Sequence, residues 1–361
     1  MARRWALAVA CWASWASGTA AATQSWDDLA AAAQREGKVV VAGPAHPEVR
    51  QALPAAFKAR FGINLEYIGA PASASVAKLH AERLAGIYSL DVTLAGIQTV
   101  ATIFYREGLL DPIKPLLVLP EVLDGSKWKK GSLWFVDPER QYVLRLFSSE
   151  LELLSINTLQ VKPNELRSAH DLLDAKWKGR IATHDPTVPG TGSNQAARLY
   201  VQLGEAFAKQ LYVDQKPVIS RDERQLTDWL LRGVYPIVFG PDNAHIEEMR
   251  KEGLPVLTVR GLQDLPGTVA VGNGLVGLFK NAPHPNAAQL FINWLASKEG
   301  LEVYARAVQW SPTRNDIDER GFVPAGSIPA PDVDQFDLSD WEFTSTTKEK
   351  ARLRIKELMG R

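Results

Sequence analysis

The strongest constraint on the fold is a regular alternation of short apolar segments with amphipathic helical segments. Residues 38–42 and 64–68 each predict a buried strand, and each is followed by a loop of small residues and then by a helix. Residues 91–94 predict a third strand, so that each unit is roughly 30 residues long. The same order returns in residues 179–203 and again from residue 235. This alternation predicts an α/β fold in which helices cover a parallel sheet.

Two lobes are expected because a chain of 361 residues is longer than one average domain. Between the two α/β regions, residues 141–157 alternate polar and apolar side chains, which predicts long strands that connect one lobe to the other. We expect a first lobe of residues 23–135 and 258–322 and a second lobe of residues 136–257, followed by a C-terminal strap and helix in residues 323–361.

The first 22 residues have the three-part layout of a secretory signal peptide. Arg3 and Arg4 precede an apolar run in residues 5–16, and Ala20–Ala22 offers a cleavage site. The run is too short to span a membrane, which takes roughly 20 residues. An ordinary N-terminal helix is the alternative, although a helix of a soluble protein has a polar face and this run is apolar all round. We therefore expect export through a signal peptide at residues 1–22.

Charge and cysteine content exclude several classes of partner and site. The 41 basic side chains balance 41 acidic ones, so the chain lacks the positive surface that nucleic-acid binding requires. The single cysteine, Cys11, excludes a disulfide framework and a cysteine-ligated metal cluster. The six histidines show no metal-ligand spacing, and the sequence contains neither a nucleotide P-loop nor a Gly-x-Ser-x-Gly nucleophile elbow. We expect no metal, no cofactor and no catalysis.

The loop after the strand at residues 179–183 is the most informative candidate site. Ligands of open parallel sheets bind beyond the carboxyl ends of the strands, and this loop leads directly into a helix expected over residues 194–203. The first amides of a helix have no internal acceptor, and together with the helix dipole they favour an oxyanion. A plain helix cap explains the same residues equally well. The residues concerned are Gly190, Thr191, Gly192, Ser193 and Asn194.

Other candidates lie in further strand-end loops and in the predicted connecting strands. The strand-end candidates are Ala45, His46, Ala70, Ser73, Asp242 and Asn243. Tyr142 and Arg145 lie in the connecting strands, where a guanidinium could pair with an anionic ligand at the hinge. Glu150 and Glu152 would share one face of a strand, either as an acid/base pair or as the solvated face of the sheet. For each of these charged side chains, an ordinary surface role is the alternative.

Several segments of the chain resemble the periplasmic solute-binding proteins of ABC importers, in the group that contains ferric-iron, thiamine, polyamine and phosphonate binders. The segments that carry the resemblance are Trp26–Leu29, Glu36–Val41, Glu82–Gly86, Asp91–Val92, Ala282–Leu295, Ser297–Gly300 and Ser311–Arg314. Of these, Ala282–Leu295 is the most specific, and it predicts a helix that buries Leu290, Phe291 and Leu295.

The resemblance implies the type 2 architecture of these binding proteins. Each of two lobes would be a mixed sheet covered by helices, and a ligand cleft would lie between them. Hinge closure on the ligand follows if the ligand contacts both lobes. The implied partners are an ABC permease and its ATPase in the inner membrane. The implied location is the periplasm, and we expect a monomer.

The resemblance also bears on the ligand. Iron-binding members use an adjacent pair of tyrosines, whereas no Tyr-Tyr occurs in this sequence. The glycine-rich loop instead favours a small-molecule anionic ligand: a carboxylate, a phosphonate or a phosphate ester. Ferric iron remains an alternative, as do a periplasmic enzyme and a sensor subunit on the same scaffold. The expected ligand contacts are Ala45, His46, Ala70, Ser73, Tyr142, Arg145, Gly190, Thr191, Gly192, Ser193, Asn194, Asp242 and Asn243.

Overall fold

The computed structural model describes residues 25–331 and 333–361 of the chain. The expected signal peptide at residues 1–22 lies outside the described residues. Within the described ranges, no helix combines the length and the apolar character that crossing a membrane requires.

Strands and helices alternate along most of the described chain. The strands are β1 (Lys38–Gly43), β2 (Asn64–Gly69), β3 (Val92–Ala95), β4 (Leu110–Asp111), β5 (Leu144–Arg145), β6 (Ser149–Leu151), β7 (Leu154–Asn157), β8 (Ile181–His184), β9 (Val218–Ser220), β10 (Ile237–Phe239), β11 (Val256–Val259), β12 (Thr268–Ala270), β13 (Leu275–Phe279) and β14 (Phe336–Asp337). The α-helices are α1 (Trp26–Glu36), α2 (Pro47–Phe61), α3 (Ala72–Leu84), α4 (Ile97–Thr99), α5 (Pro120–Leu123), α6 (Thr191–Lys209), α7 (Glu223–Leu231), α8 (Asn243–Lys251), α9 (Pro285–Ala296), α10 (Lys298–Val308) and α11 (Lys348–Leu358). Segments of π-helix at Val100–Phe104 and Gln210–Asp214 extend α4 and α6, and a third at Phe343–Thr347 leads into α11.

The first sheet has the strand order β2-β1-β3-β13-β4, and β5 also pairs with β13. Strands β1, β2 and β3 run parallel, with Val41 of β1 in register with Tyr67 on one side and Val92 on the other. The side chains of Val39–Ala42 are buried on both faces of the sheet, which explains the uninterrupted apolar run. The expected helix at Ala282–Leu295 is α9, and it buries Leu290, Phe291 and Leu295 completely.

The second sheet has the strand order β11-β7-β10-β8-β9. Strands β8, β9 and β10 run parallel, whereas β7 is antiparallel to β10 and to β11. Ile156, Ile181 and Ile237 are fully buried at the centre of this second core. Both sheets are therefore mixed sheets covered by helices, and the predicted α/β class is confirmed.

A third, smaller sheet takes its strands from three separate parts of the chain. In it β12 is antiparallel to β6 and parallel to β14. The prediction of long connecting strands over residues 141–157 is wrong, because the segment is broken into β5, β6 and β7, each in a different sheet. The first break follows Arg145, whose Nε donates to the carbonyl oxygen of Phe147 (2.7 Å) and so occupies an acceptor that a continuing strand would use.

The strand pairing shows where the chain passes between the two large sheets. Residues 144–145 belong to the first sheet through β5, and residues 258–259 belong to the second sheet through β11. The chain therefore leaves the first sheet after residue 145 and the second sheet after residue 259, while the expected lobe boundaries after residues 135 and 257 stay predictions.

Candidate functional site

Loops at the carboxyl ends of β1, β2 and β3 enclose a pocket of about 170 Å³, which we call the first half-site. Its described lining residues are all uncharged, and its polar groups include the side chains of Ser75, Thr99 and Asn273. Two expected contacts, Ala45 and Ala70, line it. A pocket of this kind suits a neutral portion of a ligand that carries hydroxyl groups.

Close backbone contacts shape the first half-site. A Cβ atom on Gly43 would lie 2.4 Å from the hydroxyl oxygen of Tyr67, and one on Gly96 would lie 3.1 Å from the carbonyl oxygen of Gly272. The Tyr67 hydroxyl donates to the Pro44 carbonyl (2.9 Å), and burial raises the pKa of Tyr67 well above its ordinary value. Tyr67 therefore stays protonated and keeps the loop after β1 in place.

His46 and Ser73 lie beside the first half-site but do not line it. His46 is the N-cap residue of α2, and its Nδ1 lies 3.0 Å from Glu48 Oε2. Ser73 is exposed in the first turn of α3. Both could be approached by a ligand only from the rim of the pocket.

Loops at the carboxyl ends of β8, β9 and β10 form the second half-site, and a buried carboxylate ties two of them together. Asp185 Oδ1 accepts hydrogen bonds from the Thr187 amide (2.9 Å) and hydroxyl (2.6 Å), and Oδ2 accepts one from Arg221 Nε (2.9 Å). Burial raises the pKa of Asp185, but the hydrogen bonds from Thr187 and Arg221 outweigh that effect and hold it below its ordinary value. Sequence reasoning missed Asp185, although an Asp-Pro-Thr segment after a strand is a recognisable turn signal.

Helix α6 begins at Thr191, three residues before the expected start at Asn194. Gly192 is required by packing, because a Cβ there would lie 2.4 Å from the Asp185 carbonyl oxygen and 2.5 Å from that of His184. The Ser193 hydroxyl is buried, and it donates to the Gly190 carbonyl (3.0 Å) and accepts from the Gly190 amide (3.1 Å). The expected ligand role of the Ser193 hydroxyl is therefore replaced by a local capping role.

The other polar groups of this turn are candidates for ligand contact. The amides of Thr191, Gly192 and Ser193 are in the first helical turn, where no intrahelical acceptor exists. Thr191 is exposed, with its hydroxyl 3.4 Å from Glu223 Oε1. The Asn194 side chain makes no hydrogen bond within the described part of the chain. The α6 turn therefore offers backbone donors and one amide side chain, whereas the Thr191 hydroxyl already donates to Glu223.

The loop after β10 lies against the α6 turn. A Cβ atom on Gly240 would lie 3.0 Å from His184 Cβ and 3.6 Å from Thr191 Cγ2. Asp242 caps α8, because its Oδ1 accepts from the His245 amide (3.2 Å). Asn243 is the first residue of α8. Asp242 and Asn243 thus lie at the second half-site, and the Asp242 carboxylate has a structural task there.

Tyr142 and Arg145 are not brought to either half-site. Arg145 is fully buried, pairs with Asp337 and stacks 3.9 Å from the Trp134 ring centroid. Burial lowers the pKa of Arg145, and Asp337 opposes that effect. The ring of Tyr142 packs 5.6 Å from that of Tyr105. A ligand role for Arg145 is corrected to a structural one, because its guanidinium is enclosed by protein partners.

The carboxylates of Glu150 and Glu152 do not form an acid/base pair at either half-site. Arg260 Nη2 lies 3.6 Å from Glu152 Oε1, and burial raises the pKa of both glutamates. Within the described ranges, no group of three or more His, Cys, Asp or Glu side chains could hold a metal ion.

Comparison with known proteins supports the fold described above. The family model of bacterial extracellular solute-binding proteins matches residues 42–302. No curated protein sequence matches the chain significantly. Among solved structures, iron-bound HitA from Pseudomonas aeruginosa is 18% identical with a TM-score of 0.60, covering 89% of this chain and 99% of HitA.

Two further structures have the same fold at similar coverage. Trichodesmium IdiA (FutA) in complex with iron and citrate is 17% identical with a TM-score of 0.67, covering 89% of this chain and 99% of that one. The periplasmic binding protein AfuA from Actinobacillus pleuropneumoniae with fructose-6-phosphate bound is 20% identical with a TM-score of 0.58, covering 90% and 99%. At such identities the likeness shows the fold, which is two-lobed. Since the family match spans well over half of the sequence, this chain belongs to the bacterial extracellular solute-binding protein family.

Proposed function

We propose that this chain is the substrate-binding component of an ABC uptake transporter and captures a small organic anion between its two lobes. The observation that carries the proposal is the contrast between the two half-sites. The first is a neutral pocket with hydroxyl and amide groups, and the second presents the free amides of the α6 turn. An anion with a neutral, hydroxylated portion complements both.

Electrostatics at the second half-site support an anionic group. Helix α6 is broken at Gly204, whose φ is +85°, and the positive end of the dipole of its first segment lies at Thr191. Arg224 is exposed in the first turn of α7 and adds positive charge, although the Glu223 carboxylate of the same turn lies 3.4 Å from the Thr191 hydroxyl. Asp185 is already neutralised by Arg221, so its charge opposes an incoming anion less than a free carboxylate would. The solute would be a carboxylate, a phosphonate or a phosphate ester.

Capture would occur by hinge closure. The chain crosses between the two large sheets through β6 and β12, which pair with each other. A solute that contacts both half-sites favours the closed state, because it gains contacts there that the open state lacks. A permease and its ATPase would recognise the closed form. We further propose export through the signal peptide, a monomeric state and no catalysis.

Ferric iron is the second candidate, and one observation favours it: Tyr105 and Tyr142 pack together beside Glu139. Burial and the hydrogen bond to Glu139 raise the pKa of Tyr105 to about 12. The phenol would have to give up its hydrogen bond to Glu139 before it could bind iron, and no group of three or more His, Cys, Asp or Glu side chains in the described ranges could complete such a site. Iron binding is therefore the less favoured proposal.

The proposal is tested by thermal unfolding of residues 23–361 with citrate, fructose 6-phosphate, inorganic phosphate, putrescine or ferric chloride added. A ligand of the native state stabilises it by about 2.7 kcal/mol at 100 times Kd, which raises Tm. We expect a saturable rise with at least one organic anion and none with putrescine. A rise with ferric chloride alone would overturn the anion assignment, and so would the absence of a rise with every anion.

A further inference from the structure

The C-terminal helix touches both lobes, although it packs mainly on the second. Phe343 and Ala351 are buried against Ala197 of α6. Further along the helix, Ile355 is buried in the core of the second lobe, and Arg354 pairs with Glu205 (2.7 Å). The apolar contacts therefore attach α11 to the second lobe.

One face of α11 contacts the edges of both half-sites. Lys348 Nζ donates to the side-chain oxygen of Gln98, which is flanked by Ile97 and by Thr99 of the first half-site. One helical turn later, Arg352 Nη1 donates to the Thr187 carbonyl (2.6 Å) in the loop after β8. Residues four apart lie on the same face of a helix, about 6 Å apart along its axis. This face of α11 thus reaches from Gln98, beside the first half-site, to the loop after β8 at the second half-site.

Of these two cations, Lys348 makes no close ion pair within the described ranges. Arg352 is paired with Glu349. No carboxylate of the described chain lies within 4.0 Å of the Lys348 ammonium, whose polar partner is the neutral Gln98 side chain. Burial lowers the pKa of Lys348, and Glu349 opposes that effect. A half-buried cation at the edge of a ligand site requires an anion for full stabilisation.

We propose that Lys348 is a ligand-binding residue, which the C-terminal helix supplies as the counter-charge for the anionic group of the solute. The inference rests on the proposed function and adds a binding element beyond residue 302, where the family match ends. Because α11 moves with the second lobe, closure carries the ammonium together with the α6 turn onto the solute. The contact with Gln98 is neutral and is easily exchanged for a contact with the anion.

Three variants test the role of Lys348. Lys348→Gln removes the charge and keeps a donor for Gln98, whereas Lys348→Arg keeps the charge. Lys350→Met is the matched control, since Lys350 is an exposed lysine of the same helix. Binding is measured by calorimetry with citrate, fructose 6-phosphate and inorganic phosphate, and Tm is measured without any of them.

We expect Lys348→Gln to raise Kd by about 10- to 100-fold, because a hydrogen bond to a charged group is lost. Lys348→Arg should stay within about fivefold of wild type and Lys350→Met within about twofold, with all four proteins close in Tm. An unchanged Kd in Lys348→Gln would overturn this inference and leave the proposed function intact. A wild-type protein that binds none of the three anions would overturn both. If Lys348→Gln and Lys348→Arg lose affinity equally, a packing role replaces the charge role.

Discussion

The two half-sites occupy equivalent places in their sheets, yet they differ in charge and in how their loops are fixed. The first is a neutral pocket beyond three parallel strands. The second lies beyond three parallel strands as well, but Asp185 binds Thr187 and Arg221 there, and Gly192 brings α6 against the same loop. The fold therefore places loops at equivalent positions in both sheets, whereas the residues of those loops decide which chemical groups a ligand there would meet.

The variant with the largest expected effect tests whether the second half-site is more tightly packed than the first. In Gly192→Ala the new Cβ would lie 2.4 Å from the Asp185 carbonyl oxygen, and backbone on both sides resists a shift. We expect this variant to lose about 3 kcal/mol in the free energy of unfolding. Gly96→Ala in the first half-site, with a 3.1 Å contact to the Gly272 carbonyl oxygen, should lose about 1 kcal/mol or less. Urea denaturation measures both, and equal losses would contradict the comparison.

A variant with an intermediate expected effect removes the charge of Asp185, and the described lining of the first half-site has no such charge. Asp185→Asn keeps an acceptor for Thr187 but loses the charged bond to Arg221, whose side chain is 69% exposed. The exposure of Arg221 limits the expected loss at pH 7 to about 1–2 kcal/mol in the free energy of unfolding. Urea denaturation at pH 7 provides the measurement.

The pH dependence of this effect has a definite sign. The pKa of Asp185 is lower in the folded protein than its ordinary value, so its contribution to stability is complete above the unfolded-state pKa, about 3.9. That contribution is lost as the pH falls through the folded-state pKa. The difference in the free energy of unfolding between wild type and Asp185→Asn should therefore become smaller as the pH falls from 5 to 2. Urea denaturation at successive pH values measures this difference. A difference that stays constant over this range would contradict the assigned ionisation of Asp185.

The fold was predictable from sequence because local patterns dictate it. The buried run at Val39–Ala42 and the amphipathic helix α9 both carry a periodicity that one segment displays by itself. Residues 141–157 misled the prediction because their alternation suits any strand, and only pairing with β13, β12 and β10 decides where the strand breaks.

The candidate site was predictable only as a set of loops. Sequence places Gly190–Asn194 after a strand, but it does not show that Gly192 packs on backbone or that the Ser193 hydroxyl is used by Gly190. Arg145 was misplaced for the same reason, since its burial depends on Asp337, which lies 192 residues away in the chain. Lys348 was missed because nothing local links a C-terminal helix to Gln98. Contacts between distant segments decide which polar groups remain for a ligand.

The variant with the smallest expected effect removes a single backbone amide hydrogen of the second half-site. Thr191 is the first residue of α6, where proline is well tolerated because its ring suits the helix and the missing amide hydrogen has no internal acceptor. Thr191→Pro should therefore keep the helix but weaken binding of the best anion of the thermal screen by about 5- to 10-fold, as expected for one hydrogen bond.

The control, Thr191→Ala, removes only the hydroxyl, and its Kd should stay within about twofold of the wild-type value. Calorimetric titration distinguishes the two, and equal weakening would assign the contact to the hydroxyl. Full affinity in Thr191→Pro would show that the first amide of α6 does not meet the anion, and the contrast in charge between the half-sites would then have to rest on Arg224 and Lys348.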